Sequence, residues 1–131
     1  MSDLQDALVR TVRGDASALG SMATVDHDAL VQAAVAVAPL VVTREATIRV
    51  LEDLRNGRLR PEVAQCWASF MRRGYIEAVR RTRVIRPIHI EYQRDVEDVI
   101  ADAVSRLDEI GDLVDGVLTR DEIDVLLARL A

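Results

Sequence analysis

The sequence contains no lysine, a single cysteine and only four aromatic residues among its 131 residues. Because Cys66 is alone, an internal disulfide and a metal cage built from cysteines are both excluded. The absence of lysine excludes a phosphate-binding loop of the GxxxxGK(S/T) type, and neither GxGxxG nor GxSxG occurs. With so few aromatic rings, the core must consist mainly of leucine, valine, isoleucine and alanine, which suits interlocking helices.

Long apolar runs are also missing from this chain. The most apolar stretch covers residues 33–42, which is half of the roughly 20 residues that a membrane-spanning helix needs. The first residues are acidic and lack the basic and then apolar pattern of a signal peptide. We therefore expect residues 1–131 to form one cytoplasmic domain that is long enough to bury a core.

Charge is distributed unevenly along the chain, whose formal net charge is -5. Residues 72–90 contain six arginines and one acidic residue, whereas residues 91–131 contain four arginines and twelve acidic residues. A basic middle segment therefore precedes an acidic C-terminal third.

Capping residues and prolines predict where several helices begin and end. Ser2 with Gln5, and Thr119 with Glu122, fit capping boxes at the starts of the first and last helices. Pro39 should end a helix that begins near residue 24 or 26. The nearly continuous apolarity of this helix predicts a central, well-buried element.

Apolar residues that recur every three or four positions predict the remaining helices. These helices cover residues 43–56, 61–73 and 92–110, and residues 15–22 are expected to form a turn or a single helical turn. Trp67 and Phe70 should lie in the core. The fold class is therefore all-α, a helical bundle of four to five main helices.

Residues 75–92 fit no helix clearly. The Arg86–Pro87 step favours extended backbone, and residues 88–92 alternate apolar and polar side chains as in a short strand. No second strand is evident in the sequence, so residues 86–92 are either a short strand or an extended linker.

Five acidic residues project from one side of the helix predicted over residues 92–110. At about 100° per residue they fall within about 60° of one another, beside the apolar face. Such a row is either the solvated side of a helix or a surface that captures a cationic partner through complementary charge. The row consists of Glu91, Asp95, Asp98, Asp102 and Glu109.

The basic middle segment contains a cluster of six arginines, with one glutamate among them. Such a cluster can neutralise the phosphates of a nucleic acid, with an affinity that falls as salt rises. It can also pair with the acidic C-terminal third, within one chain or between subunits. The arginine cluster consists of Arg72, Arg73, Arg80, Arg81, Arg83 and Arg86.

Residues 111–122 partly match a calcium-binding EF-hand loop. Gly116 stands at the turn glycine and Glu122 at the twelfth position. Positions one and three carry Gly111 and Leu113, whose side chains offer no oxygen. We therefore predict a turn followed by a helix cap, and we predict neither a metal nor a cofactor.

The two histidines and the cysteine show no catalytic spacing. His27 is expected to be solvated near a helix start. His89 could pair with Glu91 or Asp95 as a general base, although a solvated residue is the simpler interpretation. Cys66 is expected to be a small buried or half-buried residue of its helix, so no catalytic residue is predicted.

The segment GRLRPEVAQCWA, which begins at Gly57, resembles the G-x-(L/I)-S-P-E-E-x-x-x-W-A segment of small helical immunity-like proteins of actinobacteria. The later run over residues 96–107, followed by a turn and a closing helix, resembles the same group. The likeness covers about residues 44–131, and it implies a toxin as the protein partner. Arg60 replaces the family's serine or threonine cap, and no functional residue is carried over.

These patterns predict a non-enzymatic protein-interaction module. It would be an inhibitor of the immunity or antitoxin type that binds a cationic partner through the acidic helix. One alternative is a nucleic-acid-associated regulator that uses the arginine cluster, and another is an enzyme whose site is assembled by the fold. Pairing of the basic and acidic segments between subunits would give a homodimer.

Overall fold

A computed structural model describes residues 1–76, 86–114 and 116–131 of the chain. These residues are mostly helical and include a small two-stranded parallel sheet, so the broadly all-α prediction is confirmed. The helices and strands are α1 (Asp3–Val12), α2 (His27–Val37), β1 (Leu40–Val42), α3 (Arg44–Arg55), α4 (Pro61–Arg73), β2 (Ile90–Tyr92), α5 (Glu97–Asp108) and α6 (Arg120–Leu130), with 3-10 helices at Ala16–Met22 and Arg94–Val96. Among the described residues, no helix has both the length and the apolar character that crossing a membrane requires.

Two helix starts lie where the sequence predicts them. The Ser2 hydroxyl accepts a hydrogen bond from the Gln5 amide at 3.1 Å, and the Thr119 hydroxyl accepts one from the Glu122 amide at 3.2 Å. The Gln5 and Glu122 side chains bond back to the capping backbone, so both capping boxes are confirmed. These bonds satisfy amides that the helix itself leaves unpaired.

Of the two alternatives for residues 86–92, the short strand is present at Ile90–Tyr92, and it has a partner. β2 pairs in parallel with β1, which places Ile90 beside Leu40 and Tyr92 beside Val42. The partner strand lies directly after Pro39, at the end of the apolar stretch, where no strand was predicted. The sheet brings the two ends of a long sequence interval together.

The helix predicted over residues 92–110 begins later than expected, and this boundary was wrong. α5 starts at Glu97, because the residues before it belong to β2 and to a 3-10 helix. The Gln93 amide donates to the Val42 carbonyl at 3.0 Å, and the Gln93 side-chain oxygen accepts from the Arg44 amide at 3.0 Å. These bonds hold residues 92 and 93 against the sheet and delay the start of the helix.

α2 is less buried than its apolar sequence predicts, so the expectation of a central element was wrong. Leu30, Ala33 and Ala34 are buried, but Val35 is 74% exposed. An unbroken apolar run hides which side of a helix faces the core, because the periodic polar residues that mark the solvated side are missing. The predicted turn over residues 15–22 contains the first 3-10 helix.

The core lies around α4, whose Trp67 and Phe70 side chains are buried as predicted. The Trp67 indole nitrogen donates to the Thr11 carbonyl at 2.7 Å, which ties α4 to the end of α1. Ile100 and Leu107 are fully buried and join α5 to the same core. Because this side of α5 faces inward, Asp98 and Asp102 on the opposite side are exposed to solvent.

Candidate functional site

A buried carboxylate joins the arginine cluster to α5. Asp108 accepts hydrogen bonds from Arg72 Nη1 at 2.6 Å, from Arg73 Nη1 at 2.8 Å and from Gln65 Nε2 at 2.9 Å. Its side chain is only 5% exposed, whereas those of Arg72 and Arg73 are 43% and 35% exposed. Two arginines of the cluster therefore pair within the chain, as one of the two interpretations predicted.

Asp108 was not among the acidic residues that were predicted to bind a partner. It follows the buried Leu107 and lies one turn after the buried Val104, so it borders the apolar face of α5. A carboxylate at such a position needs a cationic partner, because an unpaired buried charge is costly. An aspartate at the edge of an apolar helix face, in a chain with a basic segment, is the sequence feature that could have identified this ion pair.

The rest of the arginine cluster is only partly placed. Arg80, Arg81 and Arg83 lie outside the described residues. Arg86 is exposed, and its backbone carbonyl lies 2.6 Å from His27 Nε2. His27 therefore contacts backbone, where a solvated side chain was expected.

The five residues of the predicted acidic row do not all lie on one helix, which corrects that prediction. Glu91 belongs to β2 and Asp95 to the second 3-10 helix, because α5 begins only at Glu97. Asp98 and Asp102 are exposed on α5, and Glu109 caps its C-terminal end. The predicted row is therefore divided among three elements.

Several acidic residues of this row have partners. Asp102 lies 3.0 Å from Arg129 Nη2, and Glu109 lies 3.3 Å from Arg106 Nη1. Glu91 lies 3.8 Å from the imidazole of the exposed His89, which is the pairing considered for that histidine. The pairs of Asp102 and Glu91 are exposed and therefore weak, whereas Arg106 is only 19% exposed and also pairs with Glu122.

The start of α5 carries uncompensated negative charge. Asp95, Glu97 and Asp98 are exposed, and none of them forms an ion pair with another residue in the part of the chain that the structure describes. Asp95 accepts a hydrogen bond from the neutral Gln93 side chain at 3.0 Å. Carboxylates in the first turn of a helix also interact favourably with its dipole, so the fold tolerates this charge without a cation.

We define the acidic face as the carboxylates of β2, the second 3-10 helix and α5 that point to solvent. Between residues 91 and 105 the sequence contains one basic residue, Arg94. The acidic face consists of Glu91, Asp95, Glu97, Asp98, Asp102 and Glu109.

A depression of about 420 Å³ lies where the basic segment meets the acidic face. Burial raises the pKa of the Tyr92 phenol there; the nearby Arg72 partly opposes this shift and Asp108 adds to it. The depression therefore has charges of both signs on its walls. It is lined by Met71, Arg72, His89, Ile90, Glu91, Tyr92, Arg94 and Glu97.

A guanidinium group occupies the centre of the loop that partly matches an EF-hand. Arg106 Nε donates to Glu122 at 3.0 Å, and Arg106 Nη2 donates to the Val117 carbonyl at 2.9 Å. In an EF-hand the carbonyl at position seven and the glutamate at position twelve bind calcium. Here the hydrogen bond from Arg106 to Glu122 lowers the pKa of that carboxyl group, with further help from the Thr119 amide. A guanidinium group of α5 therefore lies where two of the calcium ligands of an EF-hand would meet.

Cys66 is exposed, so the expectation of a buried or half-buried thiol was wrong. It precedes the buried Trp67 on α4 and therefore points away from the core. Its sulfur lies 3.8 Å from Gln65 Oε1.

A scan against protein-family models and searches of curated proteins and of solved structures find no match to this chain. Across residues 1–76, 86–114 and 116–131, no group of three or more histidine, cysteine or acidic side chains is arranged to hold a metal ion. The function must therefore be argued from the surface itself.

Proposed function

We propose that this chain is a non-enzymatic interaction protein that binds a cationic protein partner through the acidic face. The observation that carries the proposal is the group of three exposed carboxylates without a counter-ion among the described residues, Asp95, Glu97 and Asp98. We take the helices to form one bundle that holds this face rigid. A rigid charged surface needs little ordering when a partner binds.

Charge complementarity explains what such a face would do. A surface of one sign attracts a partner of the other sign before contact, which raises the rate of encounter and selects against partners of like charge. Asp102 and Glu109 lie beside Arg129 and Arg106, which compensate their charge, so they add to this attraction only after the pairs open. Either carboxylate can exchange its arginine for a cation of the partner.

The resemblance to immunity-like proteins of actinobacteria suggests the kind of partner. We propose that it is a toxin with a basic surface, and that this chain blocks the toxin by covering that surface. Inhibition of this type requires tight binding and no catalytic group on the inhibitor.

The arginine cluster gives less support to a role with nucleic acid. Arg72 and Arg73 both donate to Asp108, so the buried carboxylate compensates one of their two positive charges and occupies a donor of each guanidinium group. Phosphate contacts would have to break these hydrogen bonds or depend on the remaining arginines of the cluster.

Affinity capture with matched variants tests the proposal. The wild-type chain and the variant Asp95→Asn/Asp98→Asn would be immobilised and exposed to a lysate of the source organism at low salt. We expect the wild-type chain to retain a basic protein that elutes as salt rises, and the neutralised variant to retain much less of it.

The variant Asp3→Asn/Asp28→Asn is the control. Asp3 and Asp28 are exposed and lie in the first turns of α1 and α2, so their replacement removes the same charge from equivalent helix positions elsewhere. The control should retain the partner as the wild type does. Equal retention by all three chains, or no protein retained selectively, would contradict the proposal.

A further inference from the structure

Exposed apolar side chains concentrate around the connection between α5 and α6. Four of the six large apolar side chains that are exposed among the described residues lie there: Leu113, Val114, Val117 and Val125. Leu113 is fully exposed, and Val125 on α6 is 60% exposed. A concentration of exposed apolar side chains of this kind is typical of an interaction site.

Two adjoining depressions run through this region. The first, of about 460 Å³, lies between α5 and α6 and contains Val125 and Leu126. The second, of about 680 Å³, contains Leu113, Val114 and Val117. Arg106, Glu109 and Glu122 line both depressions and pair with one another, so the two adjoin at this ion-paired group; together they are called the groove.

The rim of this groove is acidic. Four carboxylates and two guanidinium groups line it, and both guanidinium groups already pair with carboxylates of the groove. Asp98, one turn before Asp102 on α5, extends the negative rim toward the start of that helix. The carboxylates are Asp102, Glu109, Asp112 and Glu122, and the guanidinium groups are those of Arg106 and Arg129.

The shape of the groove favours a helical occupant. A groove between two helices accepts the apolar face of a third helix, whose side chains recur at the spacing of helical turns. α6 has 11 residues, which at 1.5 Å per residue gives a length of about 16 Å. About three turns of a partner helix would therefore match it.

We propose that this groove binds an amphipathic helix of a cationic protein partner. Apolar residues of that helix pack on Val117, Val125 and Leu126, and its flanking arginines or lysines face Asp102 and Glu109. This inference rests on the proposed function and adds to it the shape of the bound element. It also explains why exposed apolar side chains and acidic side chains lie together along the groove.

A peptide titration tests the inference. The probe is a fluorescently labelled peptide of about 18 residues, or five helical turns, with leucines along one face and arginines on both flanks. A peptide of the same composition in scrambled order is the control. Fluorescence anisotropy would be recorded with the wild-type chain at low and at physiological salt.

The variant Val117→Ser/Val125→Ser removes apolar contacts from the groove, and Val35→Ser is its control. Val35 is 74% exposed on α2, so its replacement changes an equally exposed valine on a different element. We expect the amphipathic peptide to bind the wild type and Val35→Ser alike, and the double variant about tenfold more weakly. The scrambled peptide should bind weakly to all of them. Circular dichroism would verify that the variants are folded.

Three results would overturn the inference. The first is no binding of the amphipathic peptide, or equal binding of the scrambled peptide. The second is weaker binding to Asp95→Asn/Asp98→Asn but unchanged binding to Val117→Ser/Val125→Ser; the acidic face would then act without the groove, and the proposed function would stand. The third is self-association in sedimentation that the valine replacements abolish, since a second copy would then occupy the groove.

Discussion

At the scale of single residues, Asp108 is the one charged side chain that is buried among the described residues. It holds the end of α4 to the end of α5 through hydrogen bonds to two arginines, and its carboxyl group has little access to water. A buried charge of this kind stabilises the protein only while its partners remain in place. It also compensates one of the two positive charges of Arg72 and Arg73.

Replacing Asp108 with asparagine should destabilise the protein. The side chain keeps its shape, but two charge-assisted hydrogen bonds are lost and the arginines face an amide. We expect the free energy of unfolding to fall by roughly 2 kcal/mol, because both arginines are partly exposed and can turn to water. Urea denaturation monitored by circular dichroism measures this change.

Asp98→Asn is the control on the same helix, since Asp98 is exposed and forms no ion pair with a described residue. It should change the free energy of unfolding by less than about 1 kcal/mol. Equal effects of the two replacements would show that the Asp108 cluster contributes little.

Asp15 gives a prediction for pH dependence. The Ser17 hydroxyl donates to one carboxyl oxygen at 2.5 Å and Arg10 donates to the other at 2.7 Å, and together these lower the pKa of Asp15. The bonds therefore stabilise the fold fully above the ordinary aspartate pKa of about 3.9, and the contribution is lost as the pH falls through the lower folded value. Between pH 7 and pH 3, the wild type should lose more stability than Asp15→Asn does.

Ser17→Ala should lie between these two chains, because the Ser17 hydrogen bond is the largest cause of the shift and Arg10 remains. Urea denaturation at several pH values supplies the comparison. If the free energy of unfolding fell equally between pH 7 and pH 3 in the wild type and in Asp15→Asn, this would contradict the interpretation.

At the scale of elements, the sequence predicted helix ends better than it predicted pairing between distant segments. Capping boxes and Pro61 act locally, so residues close in sequence are enough to identify them. β1 could not be found in this way, because its three residues become a strand only by pairing with β2 about 50 residues later. The late start of α5 follows from the same pairing.

Gly74 connects α4 to the strand region and allows a prediction about that junction. It has a φ of 75°, and an added Cβ would lie against the carbonyl oxygen of Ile88 and 2.8 Å from its nitrogen. Gly74→Ala would therefore destabilise the protein in two ways. Alanine disfavours the left-handed backbone conformation, and its Cβ would clash with the backbone of Ile88, which cannot move easily. We expect a loss of about 3 kcal/mol or more.

Gly57→Ala separates these two causes. Gly57 has a φ of 73°, but an added Cβ would meet nothing within 4 Å. Its replacement should cost about 1 kcal/mol from the backbone alone. Thermal and urea denaturation of both variants would show the difference, and equal losses would argue against close packing of Gly74 on Ile88.

Arg106 should hold the connection between α5 and α6 in place. Its guanidinium group contacts Glu109, Glu122 and the Val117 carbonyl, so Arg106→Gln leaves two carboxylates close together without their cation. We expect faster hydrogen exchange over the connection and a stability loss of about 1–2 kcal/mol. Arg129→Gln is the control, since its exposed pair with Asp102 should be worth less than about 1 kcal/mol.

Unchanged exchange over the connection in Arg106→Gln would mean that the loop is held by its apolar contacts. The same experiment bears on the groove, because Arg106 lines both of its depressions. The sequence indicated the glycine and the glutamate of this loop, but Arg106 lies outside the twelve residues that the motif compares.

At the scale of the whole molecule, the sequence predicts that a basic segment precedes an acidic one. It does not predict which basic side chain pairs with which acidic side chain. The acidic C-terminal third provides the uncompensated carboxylates at the start of α5, as composition suggested. Yet the carboxylate that meets Arg72 and Arg73 is Asp108, at the other end of that helix. Counting charges along a chain cannot show which of them the fold brings together. The exposed valines near α6 could not be predicted either, because the sequence does not show which apolar side chains the fold leaves exposed.

Pairing between subunits stays a prediction. Sedimentation over a range of concentrations and salt would measure it. A homodimer held by the basic and acidic segments should dissociate as salt rises. A monomer at every concentration would rule that homodimer out and leave the acidic face open to another protein.

The central claim is that the acidic face captures a cationic partner by charge. The most direct test is the association rate constant of the captured partner, measured at several ionic strengths for the wild type and for Asp95→Asn/Asp98→Asn. We expect the rate to fall steeply with salt for the wild type and to be about tenfold lower for the variant at low salt. Rates that are equal for both chains and independent of salt would contradict the claim.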